Sequence, residues 1–146
     1  MVCLGNICRS PLAQGLLEAK IISNQLNWQV DSAGTGSWHI GDPPDVRSIK
    51  IARKNGIDIT HQKARQFSIQ DFENFDLILP MDHQNLEDIL FKARSEDHEK
   101  KVKLILDFHP SLMGKGVPDP YWDDNGFEKV YQMLDEATEG IIKQMI

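Results

Sequence analysis

Cys3-Leu4-Gly5-Asn6-Ile7-Cys8-Arg9-Ser10-Pro11 is the stretch on which the fold turns. Its second half reads as a helix start. Ser10 is the expected N-cap, and Pro11 takes the first helical position, where a missing N–H costs nothing. Its first residue ends a strand, although only Met1 and Val2 precede Cys3. Between strand end and helix start, backbone N–H groups converge on an anion. Gly5 and Asn6 are residue types that tolerate the positive φ such a curl needs. A cysteine at the head of the loop has its thiolate stabilised by those amides, the helix dipole and Arg9. Arg9 can grip two phosphate oxygens in a fork that lysine cannot imitate, and the Ser10 hydroxyl can hydrogen-bond the thiolate. A buried cysteine followed by a plain turn and a cap would use the same residues. The position at a strand-to-helix junction favours the anion site.

Working outward, apolar β-type runs alternate with amphipathic helical ones, the pattern of an α/β domain with a parallel sheet. Strands are expected at Trp28 to Ser32, Asp76 to Pro80 and Val102 to Leu106. A second helix should run from about Asp45 to Asn55, with Gly56 as a left-handed C-cap. A third spans about His83 to Ala93, and a helical turn begins near Ser68. The last carries Phe127, Val130, Tyr131, Leu134, Ile141, Ile142 and Met145 at helical spacing, a stripe read as core packing.

The 146 residues suit one domain, 1–146, without repeat or linker. Sixteen Lys and Arg against 22 Asp and Glu give a net charge of −6, the wrong sign for a nucleic-acid binder. No apolar run is long enough to span a membrane, and no signal peptide precedes the first element. The only cysteines, Cys3 and Cys8, do not make a secreted disulfide scaffold, so the expected compartment is the cytoplasm.

A phosphate site that cleaves an aryl ester needs a proton donor, because a phenolate of pKa near 10 leaves poorly at neutral pH. Asp119, in the proline-stiffened Gly116-Val-Pro-Asp-Pro-Tyr-Trp122, lies on a loop expected at the carboxyl end of the sheet, where ligand crevices form. A turn aspartate before proline is an equally good reading. Asp123 and Asp124 are rivals, better explained as solvated residues or as the cap of the final helix. Tyr121, Trp122 and Trp38 suit stacking on a phenyl ring.

The stretch Val2 to Pro11 resembles the phosphate loop of the low-molecular-weight protein tyrosine phosphatases. The likeness continues through Asp31-Ser32-Ala33-Gly34-Thr35, Gly41-Asp42-Pro43-Pro44-Asp45, Ala64-Arg65-Gln66, Phe75-Asp76, Met81-Asp82 and Asp119-Pro120-Tyr121. It implies a flavodoxin-like three-layer sandwich, with a four-stranded parallel sheet of order 2-1-3-4, helices on both faces and a first strand cut to Met1 and Val2. It implies no cofactor and no metal. Cys3 becomes the nucleophile and Asp119 the general acid. Arg9 holds the phosphate together with Leu4, Gly5, Asn6, Ile7, Cys8 and Ser10. Trp38, His39, Tyr121 and Trp122 become substrate walls. The family pattern also has Ser32 and His61, with Ser10, holding the loop asparagine Asn6. Here Gln62 and Lys63 separate His61 from Ala64-Arg65, where the family has one residue.

The expected substrates are phosphotyrosine proteins or peptides, with inorganic phosphate and vanadate as inhibitors, and neither nucleic acid nor membrane as partner. An arsenate reductase of this fold relays a disulfide through further cysteines downstream, which this chain lacks. A protein-arginine phosphatase prefers threonine where Ile7 stands. An inert phosphate-binding module should have lost Asp119. Cys8 is the expected redox partner of Cys3, placed to capture an oxidised nucleophile as a disulfide.

Overall fold

Val2–Cys3 forms β1 and pairs in parallel with Ala33–Gly34, β2, in the register Val2 to Ala33 and Cys3 to Gly34. The computed structural model describes every residue from Met1 to Ile146. Single parallel bridges widen this sheet, from Val2 to Pro80, Ile78 to Val102 and Gly34 to Gln66. The sheet is therefore parallel, as the alternation of elements requires.

Six α-helices complete the chain: α1 Arg9–Ser23, α2 Val46–Lys54, α3 Asp71–Asn74, α4 His83–Lys92, α5 Glu96–Lys100 and α6 Gly126–Met145. Alternate residues of the sheet face two separate cores. Cys3, Leu79 and Met81 join Leu12, Leu16, Ile51, Val130, Leu134 and Ile141 of α1, α2 and α6 on one side. Val2, Ala33 and Ile78 meet Phe67, Phe72 and Ile89 on the other. This is the period-2 alternation of a sheet covered on both faces.

Several expected boundaries shift, each for a local reason. No strand forms over Trp28 to Ser32; pairing begins at Ala33, opposite Val2 of the two-residue β1. Of Val102 to Leu106 only Val102 is bridged. Ile105 N–H still reaches Pro80 O, but Ile105–Phe108 then closes into a 3₁₀ turn. Helix α1 starts at Arg9 with Cys8 in the N-cap position rather than Ser10, whose hydroxyl is taken up by other partners. Asp45 caps α2 by accepting from Arg47 N–H, and Gly56 follows at φ 80°. The turn near Ser68 becomes α3, with Ser68 N–H donating to the Asp71 carboxylate. Helix α5, capped by Ser95, had no apolar stripe to announce it and buries none of its residues.

Candidate active site

The loop between β1 and α1 curls around Cys3. The Asn6 N–H donates to Cys3 Sγ at 3.3 Å, and Ser10 Oγ lies 3.1 Å from the same sulfur. Asn6 sits at φ 57°, a left-handed conformation that costs a non-glycine residue on the order of 1–3 kcal/mol. Its side chain explains how that conformation is held. Nδ2 donates to Ser10 Oγ at 2.7 Å and Ser32 Oγ at 2.9 Å, while Oδ1 accepts from Arg65 N–H at 3.0 Å. The Ser32 hydroxyl donates onward to Gln14 Oε1 at 2.7 Å, and Gln14 Nε2 to Glu18 Oε1 at 2.8 Å. Gly34 lets this loop approach: a Cβ there would lie 2.8 Å from Leu4 O.

Arg9 is 2% exposed. Its Nη1 donates to Asp82 Oδ2 at 2.6 Å and Val117 O at 2.9 Å, and Nη2 stands 3.6 Å from Asp119 Oδ2. Burial pulls the guanidinium pKa down, but Cys3, Asp82 and Asp119 more than offset it, and the net shift is upward. A permanent cation therefore faces the sulfur. Burial, with the charges of Asp45 and Cys3 adding to it, pushes the Cys8 thiol up to about 12. Both cysteines are buried and free.

Cys3, Leu4, Gly5, Ile7, Cys8 and Arg9 floor a cavity of about 280 Å³, walled by Trp38, His39, Asp119, Tyr121 and Trp122. The walls stand on one another. Tyr121 and Trp122 meet edge to face at 4.8 Å, Arg47 lies under the Tyr121 ring and donates to Tyr121 O, and His39 Nδ1 sits 3.2 Å from Asp42 Oδ2. Trp38 and Trp122 are 71% and 90% exposed, which leaves their faces free for a ligand. Of the three rival carboxylates, Asp119 alone lines the cavity. Asp123 Oδ1 accepts from Asn125 N–H, and Asp124 pairs with Arg47 at 2.6 Å. Neither caps α6 from the N-cap position, which Asn125 occupies. Nowhere in the chain do three or more His, Cys, Asp or Glu side chains group as metal ligands would.

One expected support is absent. The His61 side chain is 61% exposed, and its Nε2 lies 3.9 Å from Glu18, so it takes no part in holding Asn6. The next residue turns inward instead: Gln62 is buried and donates to Pro11 O. The sequence reading missed Asp82, Gln14 and Arg65 as neighbours of the loop. Ser10, Gln14 and Glu18 do stand four apart along α1, a spacing that puts all three on one face.

The family model described as low molecular weight phosphotyrosine protein phosphatase matches residues 1–146. The chain belongs to that family. The low molecular weight phosphotyrosine protein phosphatase of Homo sapiens is 40% identical over 147 residues, covering 98% of this chain and 92% of its own. Among solved structures, a protein tyrosine phosphatase from Entamoeba histolytica with Hepes in the active site superposes with TM-score 0.93 at 35% identity, covering 99% of this chain and 93% of the other. A Drosophila arginine phosphatase superposes at TM-score 0.92 and 31% identity, covering 99% and 94%. Membership of the phosphatase family thus rests on the whole length of the chain, loop and walls included.

Removing the Ser32 hydroxyl should loosen the loop. Ser32→Ala leaves Gln14 Oε1 buried without a donor and Asn6 Nδ2 with Ser10 alone, at a cost of about 1–3 kcal/mol. Thermal melts should show that loss, together with weaker vanadate binding. An unchanged melting temperature and vanadate affinity would mean the hydroxyl is idle.

Proposed function

We propose that this enzyme hydrolyses phosphotyrosine through a phosphocysteine intermediate, with Cys3, Arg9 and Asp119 as its working residues. The convergence of a sulfur, a buried guanidinium and a carboxylate on one cavity carries this reading. Cys3 Sγ attacks phosphorus in line, the ester P–O bond breaks, and Asp119 gives its proton to the departing phenol oxygen. Arg9 Nη2 and the amides of Leu4 to Ser10 hold the equatorial oxygens. A water then attacks phosphorus while Asp119 takes its proton. The S–P bond breaks, its electron pair returns to sulfur, and inorganic phosphate leaves. Charge is neutralised by Arg9 and the amides, so the chemistry calls for no metal ion.

The exposed aromatic walls favour a flat phenyl ester, and Ile7 in the cavity floor adds apolar surface for it. Because an arginine phosphatase is among the structural relatives, phosphoarginine is the competing substrate to assay. The bridges at Pro80 and Val102 support a four-stranded sheet of order 2-1-3-4, flavodoxin-like, with a short first strand. Phosphotyrosine proteins as substrates, phosphate or vanadate as inhibitors and a cytoplasmic setting complete the reading. No helix is long and apolar enough to cross a membrane.

Cys3→Ser should abolish turnover of an aryl phosphate in the presence of chelator yet still bind vanadate. Asp119→Ala should lower kcat by ~10²–10⁴, less for phenols of low pKa. Residual turnover by Cys3→Ser would overturn the covalent route.

Oxidation supplies a second test. Peroxide converts an accessible thiolate to sulfenic acid, which a neighbouring thiol can capture as a disulfide with loss of water. With its pKa near 12, Cys8 is almost wholly a thiol at neutral pH, so capture should quicken as pH rises. Dithiothreitol should restore peroxide-treated enzyme, and Cys8→Ser should lose that recovery. Equal recovery, with no Cys3–Cys8 peptide by mass spectrometry, would exclude the pairing.

A further inference from the structure

The loop that carries Asp119 is tied to the rest of the protein at few points. Val117 N–H donates to Met81 O, and after it Pro118 and Pro120 have no N–H to give. Beyond the turn that leads into α6, residues 118–125 make hydrogen bonds to the rest of the chain through one side chain, that of Arg47. Its Nη1 donates to Tyr121 O at 3.0 Å and to Asp124 Oδ1 at 2.6 Å. The guanidinium carbon lies 4.6 Å from the Phe127 ring centre and 5.5 Å from that of Tyr121. The other edge of the fork meets Asp45, Nε with Oδ1 and Nη2 with Oδ2, at 2.9 Å each.

Both ends of this clasp continue into the catalytic groups. Asp45 N–H donates to Ile7 O at 2.8 Å, and the buried Ser48 in the first turn of α2 donates to Cys8 O at 3.1 Å. The fork therefore starts from the phosphate loop itself. At its other end, Tyr121 gives its N–H to Asp119 Oδ1 at 3.1 Å. That leaves Asp119 Oδ2, 3.6 Å from Arg9 Nη2, without a hydrogen bond and open to carry the proton.

We infer that Arg47 is a positioning residue for proton transfer, which fixes Asp119 over Cys3 by tying the acid's loop to the nucleophile's loop. The inference rests on the proposed role of Asp119 as the acid. Two features set Arg47 apart from an ordinary surface ion pair. It spans four acceptor atoms on two loops, a task for a rigid planar fork and not for a point charge. One of those acceptors is a main-chain carbonyl two residues from Asp119, so the bond restrains the backbone that carries the acid. Such restraint matters because a positioned acid must come within hydrogen-bond reach of the leaving oxygen, and a displacement of about 1 Å can cost on the order of 10²-fold.

The test is how kcat/KM depends on the pKa of the leaving phenol across a series of aryl phosphates. Arg47→Met keeps an apolar stem against Phe127 and removes the fork. It should lower kcat/KM by about 10–100-fold for phenyl phosphate and by less than about threefold for esters of strongly acidic phenols. Vanadate affinity should stay within about twofold of the parent, since the phosphate loop is intact. In the Asp119→Ala background, Arg47→Met should cost less than about a further twofold, because an absent acid cannot be misplaced. An equal loss on every ester, no loss on phenyl phosphate, or a full further loss in the Asp119→Ala background would each overturn the inference. If Asp119→Ala shows the leaving-group dependence and Arg47→Met does not, the inference alone falls. If Asp119→Ala slows every ester equally, the acid assignment falls and takes the inference with it. Should Arg47→Met fail to fold, Asp124→Ala decides the matter: its side chain is 84% exposed, and losing this one anchor should give the same dependence at smaller amplitude.

Discussion

Burying the guanidinium of Arg9 is the constraint around which the site is arranged. A cation that is 2% exposed needs compensation of its charge and partners for its N–H groups, or the cost of burial exceeds what a domain of this size can bear. Asp82 supplies the charge at 2.6 Å and Val117 O a second acceptor. Asp82 is also the N-cap of α4, its other oxygen accepting from Asn85 N–H at 2.8 Å. One carboxylate thus fixes the start of a helix and the orientation of the cation. Because Nη1 is committed twice, the fork is presented with Nη2 directed toward the cavity and Asp119. In the proposed reading the arginine is ordered before an anion arrives, so its ordering cost falls on folding and not on binding.

The other half of the loop is held without net charge. Asn6 is kept in a left-handed conformation by Ser10, Ser32 and the Arg65 backbone, and Ser32 is backed by Gln14. Every link there is a neutral hydrogen bond until Glu18, on the far side of Gln14. The links from Ser32 to Gln14 and from the Arg65 N–H to Asn6 carry no titratable group, whereas Ser10 Oγ, which also holds Asn6, meets the Cys3 sulfur. An imidazole in the same place would couple loop geometry to pH. The inward Gln62 and the outward His61 keep it out.

What could be read from the sequence follows from how local each feature is. The strand–loop–helix unit was legible because Cys3, Gly5, Asn6, Arg9, Ser10 and Pro11 are contiguous and each answers a local backbone demand. The cap of α2 at Asp45, the glycine at 56 and the apolar stripe of α6 were legible for the same reason. The counter-ion of Arg9 was not, since Asp82 lies 73 positions away and looks like any helix cap. Gln14 left a weaker trace, in its fourfold spacing from Ser10. The strand expected over Trp28 to Ser32 failed for a non-local reason as well. Its composition suits a strand, but a strand needs a neighbour, and the pairing with β1 runs only over Ala33–Gly34.

A net charge of −6 bears on how a phosphate dianion reaches this site. At long range the protein repels it, and with a screening length of roughly 8–10 Å that repulsion is felt mainly at low salt. The surface does little to draw the substrate in. Arg47, the cation beneath the walls, is already engaged by Asp45 and Asp124, and His39 faces Asp42. In the proposed reading, attraction comes from Arg9 and the loop amides over a few ångströms, and apolar contact with the exposed Trp38 and Trp122 serves the rest of the approach. The division of labour favours ligands that bring an aromatic ring with the phosphate. A bare anion meets the repulsion without that compensation.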